Sequence, residues 1–195
     1  MKSIILKRGT VMAREGVFGR FNWPTVARLA DGRLLAVASG FRMVHVCPFG
    51  KVVGVYSENE GESWGKPTVF IDTPLDDRDA GIAVDGQRII ITSFNESRAV
   101  TAAANWEITP EKKALGEAYL AMISDEEAAW VGSEYIFSED GGRTFSEVRK
   151  APVTSPHGPL FLPDGSLYYV GTACRIAKNE AGGRSFIILP AYILR

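Results

Sequence analysis

The sequence predicts an all-β protein in which antiparallel strands repeat along the chain. Three Asp-Gly turns, at residues 31–32, 85–86 and 164–165, each join two runs rich in apolar and β-branched residues. An eight-residue pattern occurs twice, at residues 57–64 and 138–145. The chain of 195 residues also contains 20 glycines and 10 prolines, which suit many short strands and turns. These observations indicate an internal structural repeat.

The repeated pattern reads Ser-x-Asx-x-Gly-x-Ser/Thr-aromatic and begins at Ser57 in the first copy and at Ser138 in the second. Each copy follows a short apolar run. Asn59 and Asp140 place an acceptor oxygen two residues after the serine, so we expect the turn to hydrogen-bond to itself. The aromatic residue begins the returning strand, and its ring is expected to lie beneath the sheet.

The pattern resembles the Asp box, or BNR repeat, of the sialidase superfamily, with Asn59 in place of the usual Asp in the first copy. The resemblance implies a β-propeller of four-stranded antiparallel blades, six when complete. In that fold a box lies on the turn between the third and fourth strands of a blade. The boxes are then structural, and neither Asn59 nor Asp140 is expected to be catalytic.

The Asp-Gly turns and the boxes predict about two and a half blades in one partial propeller domain, residues 1–195. The blades are expected at approximately residues 20–72, 77–150 and 155–195. Residues 3–12 predict a strand that pairs with the last blade of a complete propeller. Because a propeller closes by packing its first blade against its last, we expect the chain to be an incomplete fragment. The alternative is a homo-oligomer whose protomers complete the ring.

The second blade is predicted to contain one short helical insertion, within residues 95–133. Thr109 and Pro110 supply an N-cap and a first-turn proline, and helix-forming residues continue to Met122. Ser124 is a candidate cap for a second short helix.

Composition excludes several classes of partner. The net charge is −1 and no basic stripe is present, so we expect neither a nucleic-acid nor a membrane partner. No apolar run is long enough to span a bilayer or to form a signal-peptide core, which predicts a cytoplasmic protein or one whose export signal is missing. Cys47 and Cys174 lack metal-ligand spacing, so free thiols are expected, with no metal and no cofactor.

Strand parity places the loops that carry the unusual polar residues at one end of the blades. One candidate is the run from Asp76 to Asp79, where three carboxylates surround Arg78. Such crowding would raise a carboxyl pKa enough for acid–base work, so Asp77 and Asp79 are predicted to be catalytic and Arg78 to bind substrate. The alternative is a solvated turn that Arg78 holds together.

Both histidines are predicted to lie at the same end. His157 precedes the inner strand of the third blade as Asn22 precedes that of the first, so Asn22, Asp79 and His157 are expected at equivalent positions around a pocket. His45, in the loop between the second and third strands, is a candidate proton donor or a second hydrogen-bonding group. The alternative for His157 is a backbone cap.

Three more arginines complete the candidate substrate-binding set: Arg20, Arg42 and Arg175. Arg42 would bind the carboxylate of a sialic or uronic acid through both guanidinium nitrogens. Its alternative role is to bridge adjacent blades.

The resemblance also implies a catalytic set that this chain matches only in part. Sialidases use an arginine triad, an aspartic acid in the first blade, and a tyrosine nucleophile assisted by glutamate. The first family arginine lies in an Arg-Ile-Pro motif; here the motif reads Asn22-Trp23-Pro24, with Arg20 two residues upstream. The loop expected to carry the acid contains no Asp between Arg42 and Cys47.

The function implied is therefore a sialidase-like, exo-glycosidase-type propeller that acts on or binds an acidic glycan and is catalytically incomplete. The alternative is a non-catalytic propeller that binds a glycan or another protein.

Overall fold

The computed structural model describes residues 8–104, 109–173 and 186–187. Two four-stranded antiparallel sheets make up most of the described chain. The first contains β1 (Arg20–Arg28), β2 (Leu34–Arg42), β3 (Lys51–Ser57) and β4 (Thr68–Ile71). The second contains β5 (Asp76–Asp85), β6 (Arg88–Glu96), β7 (Gly132–Ser138) and β8 (Arg149–Lys150). Each strand pairs with the next one along the chain, so both sheets are simple up-and-down meanders as predicted.

The Asp-Gly sequences form the first turn of each meander. Arg28 pairs with Leu34 across one turn, and Asp85 pairs with Arg88 across the other. Gly32 and Gly86 lie at φ values of 92° and 58°. An L side chain rarely adopts this backbone conformation, which is why glycine occupies the turn.

The two repeated turns connect β3 to β4 and β7 to β8. In the first, the Gly61 amide donates to Ser57 Oγ and the Ser63 amide to Asn59 Oδ1, each at 2.9 Å. The second turn makes the equivalent bonds: Gly142 to Ser138 Oγ at 2.9 Å and Thr144 to Asp140 Oδ1 at 3.0 Å. The predicted self-bonded turn is therefore confirmed in both copies.

The two terminal aromatic residues of these turns are both half-buried. Phe145 packs against the main hydrophobic core, and its ring centre lies 5.1 Å from that of Phe70. Trp64 is half-buried and lies outside the core clusters of the described residues. Phe145 therefore packs against the core as expected, and the position of the Trp64 ring beneath the sheet stays a prediction.

The main core lies between the two sheets. Its buried members come from both: Leu29, Leu35, Val37, Val52, Ile71, Ala80, Ile82, Ile89, Ile91 and Ile136. Several hydrogen bonds also join the two sheets. Thr25 Oγ1 donates to the Ala80 carbonyl, and Tyr56 donates its hydroxyl proton to the Gly142 carbonyl, both at 2.9 Å. The innermost strands β1 and β5 are thereby held side by side.

The helical insertion between β6 and β7 contains α1 (Arg98–Ala103), α2 (Pro110–Met122) and α3 (Asp125–Ala128). Pro110 begins α2, and Ser124 forms a capping box with Glu127, as the sequence indicated. The prediction of one short helix missed α1, which Ser97 caps. Leu120 and Ile123 anchor the insertion to Leu75.

The region after β8 forms two small sheets rather than a third four-stranded one among the described residues. The strands are β9 (Val153–Thr154), β10 (Leu160–Phe161), β11 (Leu167–Tyr168), β12 (Gly171–Ala173) and β13 (Phe186–Ile187). β10 pairs with β11 across the third Asp-Gly turn, and β12 lies between β9 and β13. The number of blades and the closure of a ring therefore stay predictions.

Two expectations fall at the edges of the described chain. The strand predicted over residues 3–12 lies partly outside it, and residues 8–12 are not in a strand. Cys174 also lies outside it, whereas Cys47 is a buried free thiol. None of the helices in the described ranges is both long and apolar enough to cross a bilayer.

Candidate functional site

The candidate residues gather where β1 and β5 begin and β2 ends. Arg20 pairs with Arg42 across β1 and β2, and Asp76 pairs with Glu96 across β5 and β6. The strands are longer than the sequence suggested, so the run from Asp76 to Asp79 lies inside β5 rather than before it. Because successive side chains of a strand point to opposite faces of the sheet, the side chains of this run fall into two groups.

Arg42 and Asp76 form a fully buried ion pair. Their Nη1 and Oδ1 atoms are 2.6 Å apart, and Nη2 donates to Oδ2 at 2.9 Å. Arg42 also donates to Ser39 Oγ at 2.7 Å and to the carbonyls of Asp77 and His45 at 3.1 and 2.6 Å. The guanidinium thus joins the end of β2 to the start of β5, which matches the alternative role of a bridge between sheets.

Arg78 shares the same carboxylate but lies nearer the surface. Its Nη1 donates to Asp76 Oδ2 at 3.3 Å, and its Nη2 lies 3.3 Å from His45 Nε2. The Trp23 ring packs on both guanidiniums, with its centre 4.7 Å from Arg78 Cζ and 5.1 Å from Arg42 Cζ. Arg78 is therefore the arginine of this pair that lies closer to an approaching ligand.

A β-bulge shapes both innermost strands at this point. The register shifts after Asn22 in β1 and after Arg78 in β5. The following residues, Trp23 and Asp79, have φ values of 51° and 45°, which are unusual for residues other than glycine. Asp79 in β5 thus occupies the position that Trp23 has in β1, and Arg78 occupies the position of Asn22. The sequence predicted that Asn22 and Asp79 are equivalent, so the observed equivalence differs from it by one residue.

Asp79 is half-buried beside this cluster. Its Oδ1 is buried and makes no hydrogen bond within the described chain. Burial raises the pKa of the Asp79 carboxyl, and the positive charges of Arg78 and Arg42, together with weaker interactions with the two histidines, partly oppose that rise. A carboxyl in this state is suited to hold a proton and to donate it to a bound ligand.

His157 reaches Asp79 from the chain that follows β9. Its side chain is exposed, and its amide donates to Ser155 Oγ at 3.1 Å. The backbones of Gly158 and of Gly81 in β5 lie close together here. A methyl group on Gly81 would overlap the Cα of Gly158, so this close approach requires glycine. The structure therefore brings Asp79 and both histidines to one end of the sheets, as predicted.

Asp77 belongs to a different and fully buried group. The Thr73 amide donates to its Oδ2 at 2.7 Å, and Thr73 Oγ1 donates to its Oδ1 at 2.6 Å. Glu134, also fully buried, interacts with the same carboxyl. Burial raises the pKa of Asp77 to about 7, and burial together with the charge of Asp77 raises the pKa of Glu134. These contacts hold the start of β5 in place.

The remaining candidates have simpler positions. Arg20 is half-buried and close enough to lower the pKa of His45. Asn22 has a buried Nδ2 that makes no hydrogen bond in the described chain. Arg175 lies outside the described residues. No group of three or more His, Cys, Asp or Glu side chains that could hold a metal ion occurs within the described ranges.

Sequence reasoning missed three members of these clusters: Trp23, Asp76 as an ion-pair partner, and Glu134. Trp23 follows Asn22 in the Asn-Trp-Pro motif, but the contact of its ring with the two arginines depends on the bulge. Asp76 belonged to the predicted acidic run, and only strand alternation separates it from Asp77. Glu134 pairs with nothing near it in sequence, so no local signal marks it.

Comparison with solved structures shows a sialidase-like fold. A Hadza microbial sialidase superposes with a TM-score of 0.55 at 12% identity over 87% of this chain and 37% of its own. The Trypanosoma rangeli sialidase in complex with 2,3-difluorosialic acid gives 0.52 at 14% identity over 90% and 31%. The NanB sialidase of Streptococcus pneumoniae gives 0.50 at 12% identity over 97% and 46%.

The chain therefore spans less than half the length of each of these sialidases. No family model matches the sequence, and no curated protein matches it. The superpositions show a likeness in fold alone, and at identities of 12–14% the chemistry must be argued from the residues of this chain.

Proposed function

We propose that this chain is part of a sialidase-like, exo-glycosidase-type propeller that acts on or binds an acidic glycan or glycoside, and that the chain by itself is catalytically incomplete. The observation that carries the proposal is the charge at the candidate site. Arg20, Arg42 and Arg78 converge there with two carboxylates, Asp76 and Asp79, and all three arginines lower the pKa of His45. This excess of positive charge is suited to a carboxylate-bearing sugar.

Arg78 is the residue that we assign to the ligand carboxylate. The donors of Arg42 are directed to four internal acceptors, so its recruitment would break a buried ion pair. Arg78 has fewer internal partners, since the only polar contacts of its guanidinium among the described residues are with Asp76 Oδ2 and His45 Nε2, each at 3.3 Å. Asp79 is the assigned proton donor because its raised pKa and its unbonded oxygen keep it available.

The second candidate function is a non-catalytic propeller that binds a glycan or a protein. One observation favours it: Asp77, the most strongly perturbed of the predicted catalytic carboxyls, is fully buried and bonded to Thr73. On this alternative the arginine cluster binds an anion, and Asp79 serves as a hydrogen-bonding group.

Isothermal titration of N-acetylneuraminate into the parent chain, Arg78→Gln and Arg149→Gln tests the proposed binding. Arg149 is an exposed arginine on β8 and provides a matched loss of one positive charge. We expect the Arg78 variant to lose at least tenfold in affinity, because a charge-assisted hydrogen bond contributes about 1.5–3 kcal/mol. Equal affinities in all three proteins would contradict the assignment.

Hydrolysis assays with a sialoside and a glucuronide separate the two candidate functions. Turnover that Asp79→Asn abolishes without weakening binding supports the exo-glycosidase. Binding without turnover in the parent protein supports the non-catalytic propeller.

A further inference from the structure

His45 covers the outer side of the Arg78 guanidinium. It lies in the loop between β2 and β3 and is exposed, whereas the Arg78 side chain is only 8% exposed. Asp76 and the Trp23 ring contact the guanidinium from other directions. The His45 ring also packs edge-on against Trp23, with centres 5.1 Å apart. An anion that approaches Arg78 from solvent therefore meets His45 first.

We propose that His45 is a removable cap on Arg78, which a carboxylate ligand displaces and which couples anion binding to uptake of a proton by the imidazole. This inference rests on the proposed function for the identity of the site. It adds control by pH, which the sialidase-like fold alone does not imply.

The hydrogen bond between the two side chains sets the charge of the cap. A guanidinium can only donate, so His45 Nε2, 3.3 Å from Arg78 Nη2, must accept. The ring proton then lies on Nδ1 and the imidazole is neutral. A protonated ring would place two cations in contact without an acceptor between them, so protonation and capping exclude each other.

Charged groups on three strands act on the same ring. Arg20 on β1, Arg42 on β2 and Arg78 on β5 all lower the pKa of His45, in addition to burial, which is the largest cause. Asp76 raises that pKa, and Asp79 also interacts with the ring. The arginines outweigh the carboxylates, so His45 is held neutral while it covers Arg78.

The backbone of the cap is fixed while its ring can leave. The His45 carbonyl accepts a hydrogen bond of 2.6 Å from Arg42. Farther along the loop, Phe49 packs between Phe18 and Tyr119 of α2, at ring-centre distances of 5.2 and 4.8 Å. Uncapping is thus a rotation of the exposed His45 side chain rather than an opening of the loop.

Displacement has a defined pH dependence. The released ring loses its contact with Arg78 and gains a neighbouring anion, so its pKa rises relative to the capped state. Ligand binding is then accompanied by uptake of a proton at pH values between the pKa of His45 in the free protein and its pKa in the bound protein. Carboxylate affinity should increase as the pH falls towards 6.5 and below, by up to about tenfold for each unit between the bound and free values.

Nuclear magnetic resonance titration of His45 in the full chain tests the cap without requiring a sugar. The chain has two histidines, so His157→Gln leaves His45 as the single imidazole signal. Sodium acetate at constant ionic strength is the probe. We expect acetate to raise the His45 pKa in this background. Addition of Arg78→Gln should raise the pKa without acetate and remove the response to it, whereas Arg149→Gln should change neither.

An acetate-independent His45 pKa, or one that Arg78→Gln leaves unchanged, overturns the cap. A second variant, His45→Ala, alters an exposed side chain and should preserve the fold. Its affinity for acetate at pH 7.5 should exceed that of the parent and should depend less on pH between 5.5 and 7.5 than the affinity of the parent does. Weaker binding by His45→Ala would mean that the imidazole contacts the ligand, which also overturns the proposal.

The two proposals fail separately. If acetate shifts His45 as expected but N-acetylneuraminate and glucuronate do not bind, the cap stands and the acidic-glycan function is wrong. If either acidic sugar binds with no change in the His45 titration, the function stands and the cap is wrong.

Discussion

The buried Asp77 carboxyl should make this protein less stable as the pH rises through neutrality. Its pKa in the folded chain is about 7, against an ordinary value of 3.8. Between these values the folded chain binds a proton that the unfolded chain releases. The stabilising contribution is therefore fully present below pH 3.8 and is lost as the pH rises through 7.

The size of the effect follows from that interval. Each unit of pKa difference corresponds to about 1.4 kcal/mol, so Asp77 alone should lower the unfolding free energy by about 2–3 kcal/mol between pH 5 and pH 8. For a chain of this length the Tm should fall by about 5–10 °C over that range. Glu134, whose pKa is also raised, acts in the same direction.

Thermal unfolding at pH 5, 6, 7 and 8 measures the effect, with Asp77→Asn as the test variant and Glu139→Gln as a control. Asn keeps the shape of the side chain and remains uncharged, so its Tm should vary by less than half as much as that of the parent. Glu139 is exposed in the second repeated turn and should leave the parent profile unchanged. A parent Tm that rises from pH 5 to pH 8 would refute the reasoning.

Three further perturbations test the fold around the site. Asp76→Asn leaves the buried Arg42 guanidinium without its counter-charge and should lower the free energy of unfolding, measured with denaturant, by about 3–5 kcal/mol. The exposed control Asp125→Asn should lower it by less than about 1 kcal/mol, and equal losses would contradict the buried pair. Gly81→Ala should lower the Tm more than Gly9→Ala, because its methyl group overlaps the Cα of Gly158 whereas a methyl group on Gly9 meets open space, and the reverse order would contradict the close approach. Phe145→Ala removes a ring that packs against the main core and should cost about 3 kcal/mol or more in denaturant unfolding, so a cost under about 1 kcal/mol would contradict that packing.

Local signals in the sequence were sufficient for the architecture. The Asp-Gly turns predicted three hairpins because glycine is needed at a positive φ, and all three pair as expected. The serine and Asx residues of the repeated turns predicted bonds that depend only on neighbours within five residues. The two four-stranded sheets span residues 20–71 and 76–150, and their identity as blades of a propeller stays a prediction.

The site was less predictable because it depends on strand length and on long-range contacts. β5 begins at Asp76, so the predicted acidic cluster splits into Asp76, which pairs with Arg42, and Asp77, which lies with Glu134. The bulge at Trp23 places an aromatic ring over two arginines from other strands. These contacts join residues of different strands, so the spacing of residues within one strand does not predict them.

The central claim, that Arg78 and its neighbours bind a carboxylate-bearing sugar, is tested most directly by comparing N-acetylneuraminate with its methyl ester on the same protein. The two ligands differ only in the charged group. We predict that the acid binds the parent chain at least tenfold more tightly than the ester, and that Arg78→Gln reduces this ratio to about one. Equal affinities of acid and ester for the parent chain would contradict the account.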